Sequence, residues 1–250
     1  MTKSKLKHLA IIPDGNTRWA KSNNLPVFEG YKKGMKRVVE ISRHSRKLGI
    51  HTLTMWGLST ENWQHRPKLE LEFLIKLFMK TIDDYIKDAK QEDVKIIHLG
   101  KKDRLPKNLI HKVTRAEDET KNNRSHVLNI ALDYGGHDEI IRTVTKIVTD
   151  IQTKEISVED LSKETEKEGK MRKTVFSSYL DTGDQPNPFP DFIIRTSGEM
   201  RLSGFFPWQS VYSELHFEPC FFPDFTPEKL DNAIKIFNKR KRRFGGGHKS

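Results

Sequence analysis

The sequence predicts a single α/β domain built on a mostly parallel central sheet flanked by helices. Three observations predict it. Short apolar runs alternate along the chain with longer stretches whose apolar residues recur at helical spacing. Strand–helix–strand succession of that kind demands right-handed crossovers and parallel strands. Neither a repeat nor a break in composition divides the 250 residues, so 1–250 is read as one domain, with 1–7 and 245–250 as flexible tails.

Leu9 to Ile12 fits one buried strand, and Pro13 ends it. Ala20 to Glu29 reads as a loop, broken by Asn23, Asn24 and Pro26. Met35, Val38, Val39, Ile41 and Leu48 share one face of a helix from Lys32 to Leu48, which Gly49 stops. His51 to Leu58 alternates and is rich in β-formers, giving a second strand. Pro67 opens a long helix to Gln91, with Leu71, Leu74, Phe78, Ile82 and Tyr85 at helical spacing and Asp83, Asp84 and Asp88 on an exposed face. Val94 to Leu99 is a third strand, Leu105 to Asn122 an amphipathic helix and Val127 to Ala131 a fourth strand. Gly135-Gly136 then turns into a helix reaching Asp150. The charge-dense segment from Lys154 to Lys173 is expected as a solvated helical excursion that begins at Ser157. After a loop from Asp181 to Pro190 come a short strand, Phe192 to Ile194, and a last one, Glu214 to Glu218. Thr226-Pro227 opens the final helix, which ends in Lys239 to Arg243.

The formal net charge of +11 and a pI near 9.6 point to anionic partners: phosphorylated metabolites, nucleic acid or an anionic membrane surface. The basic run Lys239-Arg240-Lys241-Arg242-Arg243 prompts the nucleic-acid reading. No recognisable nucleic-acid motif accompanies it, and a basic helix end complements the helix dipole. The single cysteine, Cys220, excludes an intrachain disulfide and reads as a small buried hydrophobe in a reducing compartment. The apolar run after Lys3, Lys5 and Lys7 is too short for a secretory signal, and no run reaches the roughly 18 apolar residues of a membrane span. A cytoplasmic protein is expected, with any membrane contact peripheral.

Three polar clusters each follow an apolar strand: Asp14 to Trp19, Ser59 to Trp63, and Arg195 to Ser203. Carboxyl ends of parallel strands share one sheet edge, so the clusters should converge there. They would bring Asp14, Arg18, Glu61, Asn62, Arg195, Arg201 and Ser203 to one cleft. Arginine forks suit a diphosphate, carboxylates suit Mg²⁺, and Gly15 lets backbone N–H groups approach an anion.

Ile12-Pro13-Asp14-Gly15-Asn16-Thr17-Arg18-Trp19-Ala20, Ser59-Thr60-Glu61-Asn62-Trp63 and Tyr134-Gly135-Gly136 resemble the cis-prenyltransferases, the undecaprenyl diphosphate synthase family. So do Ile194-Arg195-Thr196-Ser197-Gly198-Glu199-Met200-Arg201-Leu202-Ser203, Trp208-Gln209, Tyr212-Ser213-Glu214-Leu215 and Arg243-Phe244-Gly245, in order and spacing over nearly the whole chain. The resemblance implies the fold of undecaprenyl diphosphate synthase and a homodimer. The implied reaction extends an allylic diphosphate, such as farnesyl diphosphate, with isopentenyl diphosphate into a Z-polyprenyl diphosphate.

By matching positions, Asp14 and Glu214 would hold Mg²⁺. Gly15, Asn16, Thr17, Arg18 and Trp19 would cradle the allylic diphosphate, with Tyr31, Ser59, Thr60, Glu61, Trp63 and Arg66 completing the substrate site. Arg195, Arg201, Leu202 and Ser203 would clamp isopentenyl diphosphate, Asn62 would assist proton loss, and Arg243 and Gly245 would reach the partner subunit's diphosphate site. The Pro67–Gln91 helix would wall a product tunnel, with Trp56, Phe73, Leu77, Phe78 and Leu132 as candidates for its lining.

The chain departs from the family pattern at several positions. Val27 stands where an arginine is usual and Tyr31 where a histidine is usual, Met200 replaces a common histidine, and His137 a common arginine. His65 looks inserted before Arg66, leaving open which fills the family's arginine position. The changes at Val27 and Tyr31 imply weaker or altered allylic selection, with Lys32 or Lys33 compensating. They also keep in view a short-chain or branching synthase of the same fold. A non-catalytic supporting subunit is the remaining alternative within the fold, although Asp14, Glu61, Asn62 and Glu214 are all present.

Overall fold

A computed structural model of the chain describes residues 6–168 and 171–240. Strand β1 (His8–Ile12) is buried along its whole length, and α1 (Asn16–Ser22) and α2 (Val27–Lys47) carry the chain to β2 (Thr52–Ser59). Helices α3 (Thr60–His65) and α4 (Lys68–Gln91) lead to β3 (Val94–Leu99), and α5 (Lys107–Thr120) leads to β4 (His126–Tyr134). Helix α6 (Gly136–Gln152) precedes a 3-10 turn, Val158–Ser162, and an antiparallel hairpin of β5 (Glu164–Glu168) and β6 (Met171–Thr174). The short α7 (Val175–Ser178), then β7 (Phe192–Arg195), β8 (Glu214–Phe217) and α8 (Pro227–Lys239) complete the order.

The main sheet has the order β3-β4-β2-β1-β7-β8. Every neighbouring pair in it is parallel, as the strand–helix alternation requires. Alternate residues divide between two faces. Leu9 and Ile11 join the larger core, with buried residues of α2, α4, α5 and α8. Ala10 and Ile12 face Trp56, Tyr134, Phe205 and Phe206 on the other side. Phe205 and Phe206 sit there because β7 and β8 are parallel neighbours, so the segment between them must run back along the sheet.

Four expectations change. The loop expected at Ala20 to Glu29 shrinks, because α1 runs to Ser22 and Pro26, extended at φ −55 and ψ 143, launches α2 at Val27. The segment 154–173 is not a helix: its Ser157–Asp160 capping box is present but feeds a single 3-10 turn before the hairpin. Its sequence lacks the apolar stripe that would seat a helix on the core. The N-terminal tail stops short of residues 6 and 7, for Leu6 is 1% exposed within the core and the Lys7 N–H bonds Asp191 at 2.9 Å. Finally, the acidic face of α4 is not free: Asp83 pairs with Lys112 and Arg115, and Asp88 with Arg43 and Arg46. No helix among the described residues is long and apolar enough to cross a membrane.

Candidate active site

Strand β1 lies between β2 and β7, so the turn after Ile12 is flanked by the ends of both neighbours. That turn is fixed by Thr196: the Asp14 N–H donates to Thr196 Oγ1 at 2.9 Å, and the same hydroxyl donates to the Asp14 carbonyl at 2.7 Å. Gly15, at φ 101, is required, since a Cβ there would lie 2.7 Å from the Phe221 ring and 3.0 Å from Ser197 Cβ.

The Asp14 carboxylate receives Arg195 Nη2 at 2.9 Å and Arg18 Nη2 at 3.1 Å. Burial would raise its pKa, but the hydrogen bond and charge of Arg195, reinforced by Arg18, outweigh burial and hold it below the ordinary carboxylate value. Arg195, itself buried, also donates to Ser203 Oγ at 2.8 Å and to the Arg201 carbonyl at 2.6 Å. Arg18 continues to Ser197 Oγ and Glu199 Oε1, both at 2.7 Å, and Arg201 meets Glu199 Oε2 at 2.5 Å. Three arginines and two carboxylates thus form one continuous array at the carboxyl edge of the sheet.

The other expected residues divide by role. Thr17 Oγ1 meets the Tyr31 hydroxyl at 3.2 Å; that hydroxyl donates to Glu70 at 2.7 Å and receives Arg66 at 3.1 Å. Arg66, not the exposed His65, therefore faces this corner. Trp19 is buried and donates to Asp224 at 2.9 Å, which makes it a strut beneath the site. Ser59 caps α3 by accepting the Asn62 N–H at 3.0 Å, Trp63 packs against the larger core, and Glu61 and Asn62 stand exposed. The Thr60 side chain lies against Gly135, where a Cβ would sit 3.1 Å from its Oγ1. Leu202 packs on the second face of the sheet, beside the exposed Ser203. Asn16 bonds the Pro13 carbonyl at 3.2 Å. Lys32 pairs with Glu29 and Lys33 with Asp224, so neither lysine is directed at Asp14.

Glu214 is not brought to Asp14 within the chain. It pairs in register with Phe192, at the opposite end of β7 from Arg195, and its carboxylate receives Arg240 at 2.8 Å. Arg243 and Gly245 lie outside the described residues.

Sequence reasoning passed over two features. One is Glu199, whose signal was there to read: an acid two residues before Arg201 within a basic cluster. The other is the buried Glu139, which accepts Tyr134 Oη, Gln209 Nε2 and the Asp181 N–H at 2.5, 3.0 and 2.9 Å. Together with the Gly136 N–H, which bonds the Gly204 carbonyl at 2.9 Å, it anchors the segment that follows Ser203.

From Pro13, beside Asp14, an apolar cavity runs between α2, α4 and the sheet. Met35, Val38, Val39, Met55, Gly57 and Phe78 are among its lining residues. Of the expected lining only Phe78 takes part: Trp56 points to the opposite face and bonds the Tyr134 carbonyl at 3.0 Å, and Phe73 packs on Phe28.

Among the described residues no three His, Cys, Asp or Glu side chains converge as a cation cage. A single ionised carboxylate beside an anion clamp fits Mg²⁺, which takes one or two carboxylates and fills its remaining positions with phosphate oxygens and water.

The family model described as "Putative undecaprenyl diphosphate synthase" matches residues 12–245. The isoprenyl transferases of Bacillus thuringiensis subsp. konkukian and Streptococcus pneumoniae are each 41% identical to this chain over 96% of its length, which covers 88% and 91% of theirs. Among solved structures, lavandulyl diphosphate synthase from Lavandula x intermedia, in complex with dimethylallyl diphosphate, aligns with a TM-score of 0.88 at 33% identity over 96% of this chain and 98% of that one. A "probable undecaprenyl diphosphate synthase" from Campylobacter jejuni aligns with a TM-score of 0.73 at 28% identity over 96% and 99%.

Proposed function

The chain belongs to the undecaprenyl diphosphate synthase family of prenyltransferases, and from that premise we propose that it condenses isopentenyl diphosphate with an allylic diphosphate to extend a Z-polyprenyl diphosphate. The observation that carries the reading is the junction at Pro13, which lines an apolar cavity while the next residue, Asp14, belongs to the anion clamp. A diphosphate with a hydrocarbon tail has that distribution of polarity.

In this proposal Arg195, Arg201 and Ser203 hold isopentenyl diphosphate. Gly15, Asn16, Thr17 and Arg18 receive the allylic diphosphate, whose tail enters beside Pro13, and Tyr31 and Arg66 close that corner. Asp14 and the substrate phosphates hold Mg²⁺, which when bound would offset the charge of the departing diphosphate. The allylic C1–O bond breaks with its electron pair leaving on diphosphate, and Arg18 stabilises that charge. The alkene of isopentenyl diphosphate bonds to C1 and a C2 proton leaves, with Asn62 on α3 as the polar group assigned to assist. A metal role for Glu214, and contacts from Arg243 and Gly245, require the partner subunit of a homodimer, because Glu214 faces away from Asp14 in its own chain. The excess of basic charge would concentrate anionic substrates and favour an anionic membrane for delivery of a lipid product.

A shorter or branched product is the second reading, favoured by the close structural match to lavandulyl diphosphate synthase. Asp14→Asn tests the central role: turnover should drop by roughly 100-fold or more while far-UV circular dichroism stays unchanged. Near-normal turnover would remove Asp14 from the mechanism.

A further inference from the structure

The segment from Glu218 to Asp224, between β8 and α8, ties the two arginine-bearing clusters together by their backbones. The Ser197 and Gly198 N–H groups donate to the Cys220 and Glu218 carbonyls at 2.7 and 2.9 Å, and the Phe222 N–H donates to the Asp14 carbonyl at 3.0 Å. Asp224 accepts Trp19 Nε1 at 2.9 Å. Two strand-end clusters far apart in sequence are thus held by a third piece of chain.

Within it, Phe222 and Phe225 go into the larger core, whereas Phe221 stays partly buried against the Asp14–Trp19 cluster. A Cβ on Gly15 would lie 2.7 Å from Phe221 Cδ1 and 3.1 Å from Phe221 Cβ, so the side chain is seated against the turn itself. The Arg18 guanidinium lies over the same ring, 5.8 Å from its centroid. The polar partners of Arg18 are Asp14, Ser197 and Glu199, and each of them occupies an N–H donor. A phosphate oxygen needs those same donors. The ring attracts the cation without occupying one.

We propose that Phe221 is a positioning residue for the allylic diphosphate: it seats the Gly15 turn and holds the Arg18 guanidinium in place while leaving its N–H donors to the phosphate. The inference rests on the reading that Arg18 receives the allylic diphosphate. It assigns Phe221 no part in holding isopentenyl diphosphate, because the segment reaches Ser197 and Gly198 through backbone carbonyls that a side-chain change leaves in place.

The test is the affinity for farnesyl diphosphate alone, by titration calorimetry, and the KM of each substrate in turnover, for the wild type, Phe221→Tyr and Phe221→Leu. Phe221→Tyr keeps the ring and should match the wild type. Phe221→Leu keeps apolar bulk beneath Gly15 but loses the ring. Its Kd and KM for farnesyl diphosphate should rise about two- to fivefold, the size of an exposed cation–ring contact, with the KM for isopentenyl diphosphate within twofold. Phe221→Met removes the ring with another side chain and should repeat the result if Phe221→Leu does not fold. With Arg18→Gln already in place, Phe221→Leu should cause no further loss, because the two residues act through one contact. Unchanged farnesyl diphosphate affinity in folded Phe221→Leu and Phe221→Met, or a full further loss in the Arg18→Gln background, would overturn the proposal. Wild-type protein that neither binds farnesyl diphosphate nor turns over would instead overturn the proposed function on which it rests.

Discussion

Asp14 is held between two arginines of different standing, and the difference shows what each is for. Arg195 is buried and spends its fork on Asp14, Ser203 and the Arg201 carbonyl, so it fixes the floor of the site. Arg18 and Arg201 are exposed and share Glu199. On the proposed reading, an incoming diphosphate competes with that carboxylate for both guanidinium groups. Glu199→Gln should therefore lower KM for at least one diphosphate substrate, by roughly two- to fivefold because the pairs are exposed, and strengthen inhibition by inorganic pyrophosphate. A rise in KM would mean that Glu199 orients the arginines instead. At this scale the sequence was readable where chemistry is local: Asp14, Arg18, Arg195, Arg201 and Ser203 follow strand ends and do converge. It was unreadable where a side chain turns away. Trp19 and Trp63 stand inside charged motifs yet serve packing, and the Tyr31–Arg66 pairing depends on α2 and α4 being neighbours, which no local pattern encodes.

The elements were legible from periodicity wherever an apolar face pays for them, and the misses fall where it does not. Breakers at Asn23, Asn24 and Pro26 interrupt the chain for only a few residues between α1 and α2, because the two helices pack on each other through glycine. A Cβ on Gly30 would lie 2.1 Å from the Asn16 carbonyl oxygen, and one on Gly34 2.1 Å from Asn16 Oδ1. Because the atom facing Gly30 is backbone, Gly30→Ala has a decisive sign. In an open helix the change would stabilise by roughly 0.5–1 kcal/mol; here overpacking of about 1–3 kcal/mol should win. The melting temperature should fall by several degrees, with a higher KM for the allylic substrate because α1 carries Arg18. A melting temperature that rises would show that Asn16 yields easily and that α1 is not pinned by this contact. Strand parity explains the misplaced tunnel residue: Met55 and Gly57 line the cavity, so Trp56 between them must face the other way.

At the scale of the whole molecule, the meeting of the Asp14–Trp19 and Arg195–Ser203 clusters followed from parallel topology, since β1 and β7 are neighbours with their carboxyl ends on one edge; the Ser59–Trp63 cluster follows β2 on the same edge, but its Glu61 and Asn62 stand exposed and do not join the array. What topology within one chain does not supply is Glu214, which belongs to the opposite edge. The buried histidines give the molecule a pH signature of its own. Burial lowers His8 and His98 to about 4 from an ordinary value of 6.5. The unfolded chain then takes up protons below about 6.5 that the folded chain refuses until about 4, so stability should fall as pH drops through that window. Each histidine contributes up to about 1.4 kcal/mol per pH unit. Glu139, raised mainly by burial, acts in the opposite sense. Urea midpoints measured from pH 7 to 4.5 should decline, and His98→Gln should flatten the slope. A flat wild-type profile would contradict neutral, buried histidines.

The most direct test of the central claim is turnover with labelled isopentenyl diphosphate, Mg²⁺ and geranyl, farnesyl or geranylgeranyl diphosphate, reading product length and double-bond geometry together. The account predicts a ladder ending at one long product whose new double bonds are all cis. Folded protein that binds diphosphate but incorporates no label with any primer, or that makes trans bonds, would contradict it.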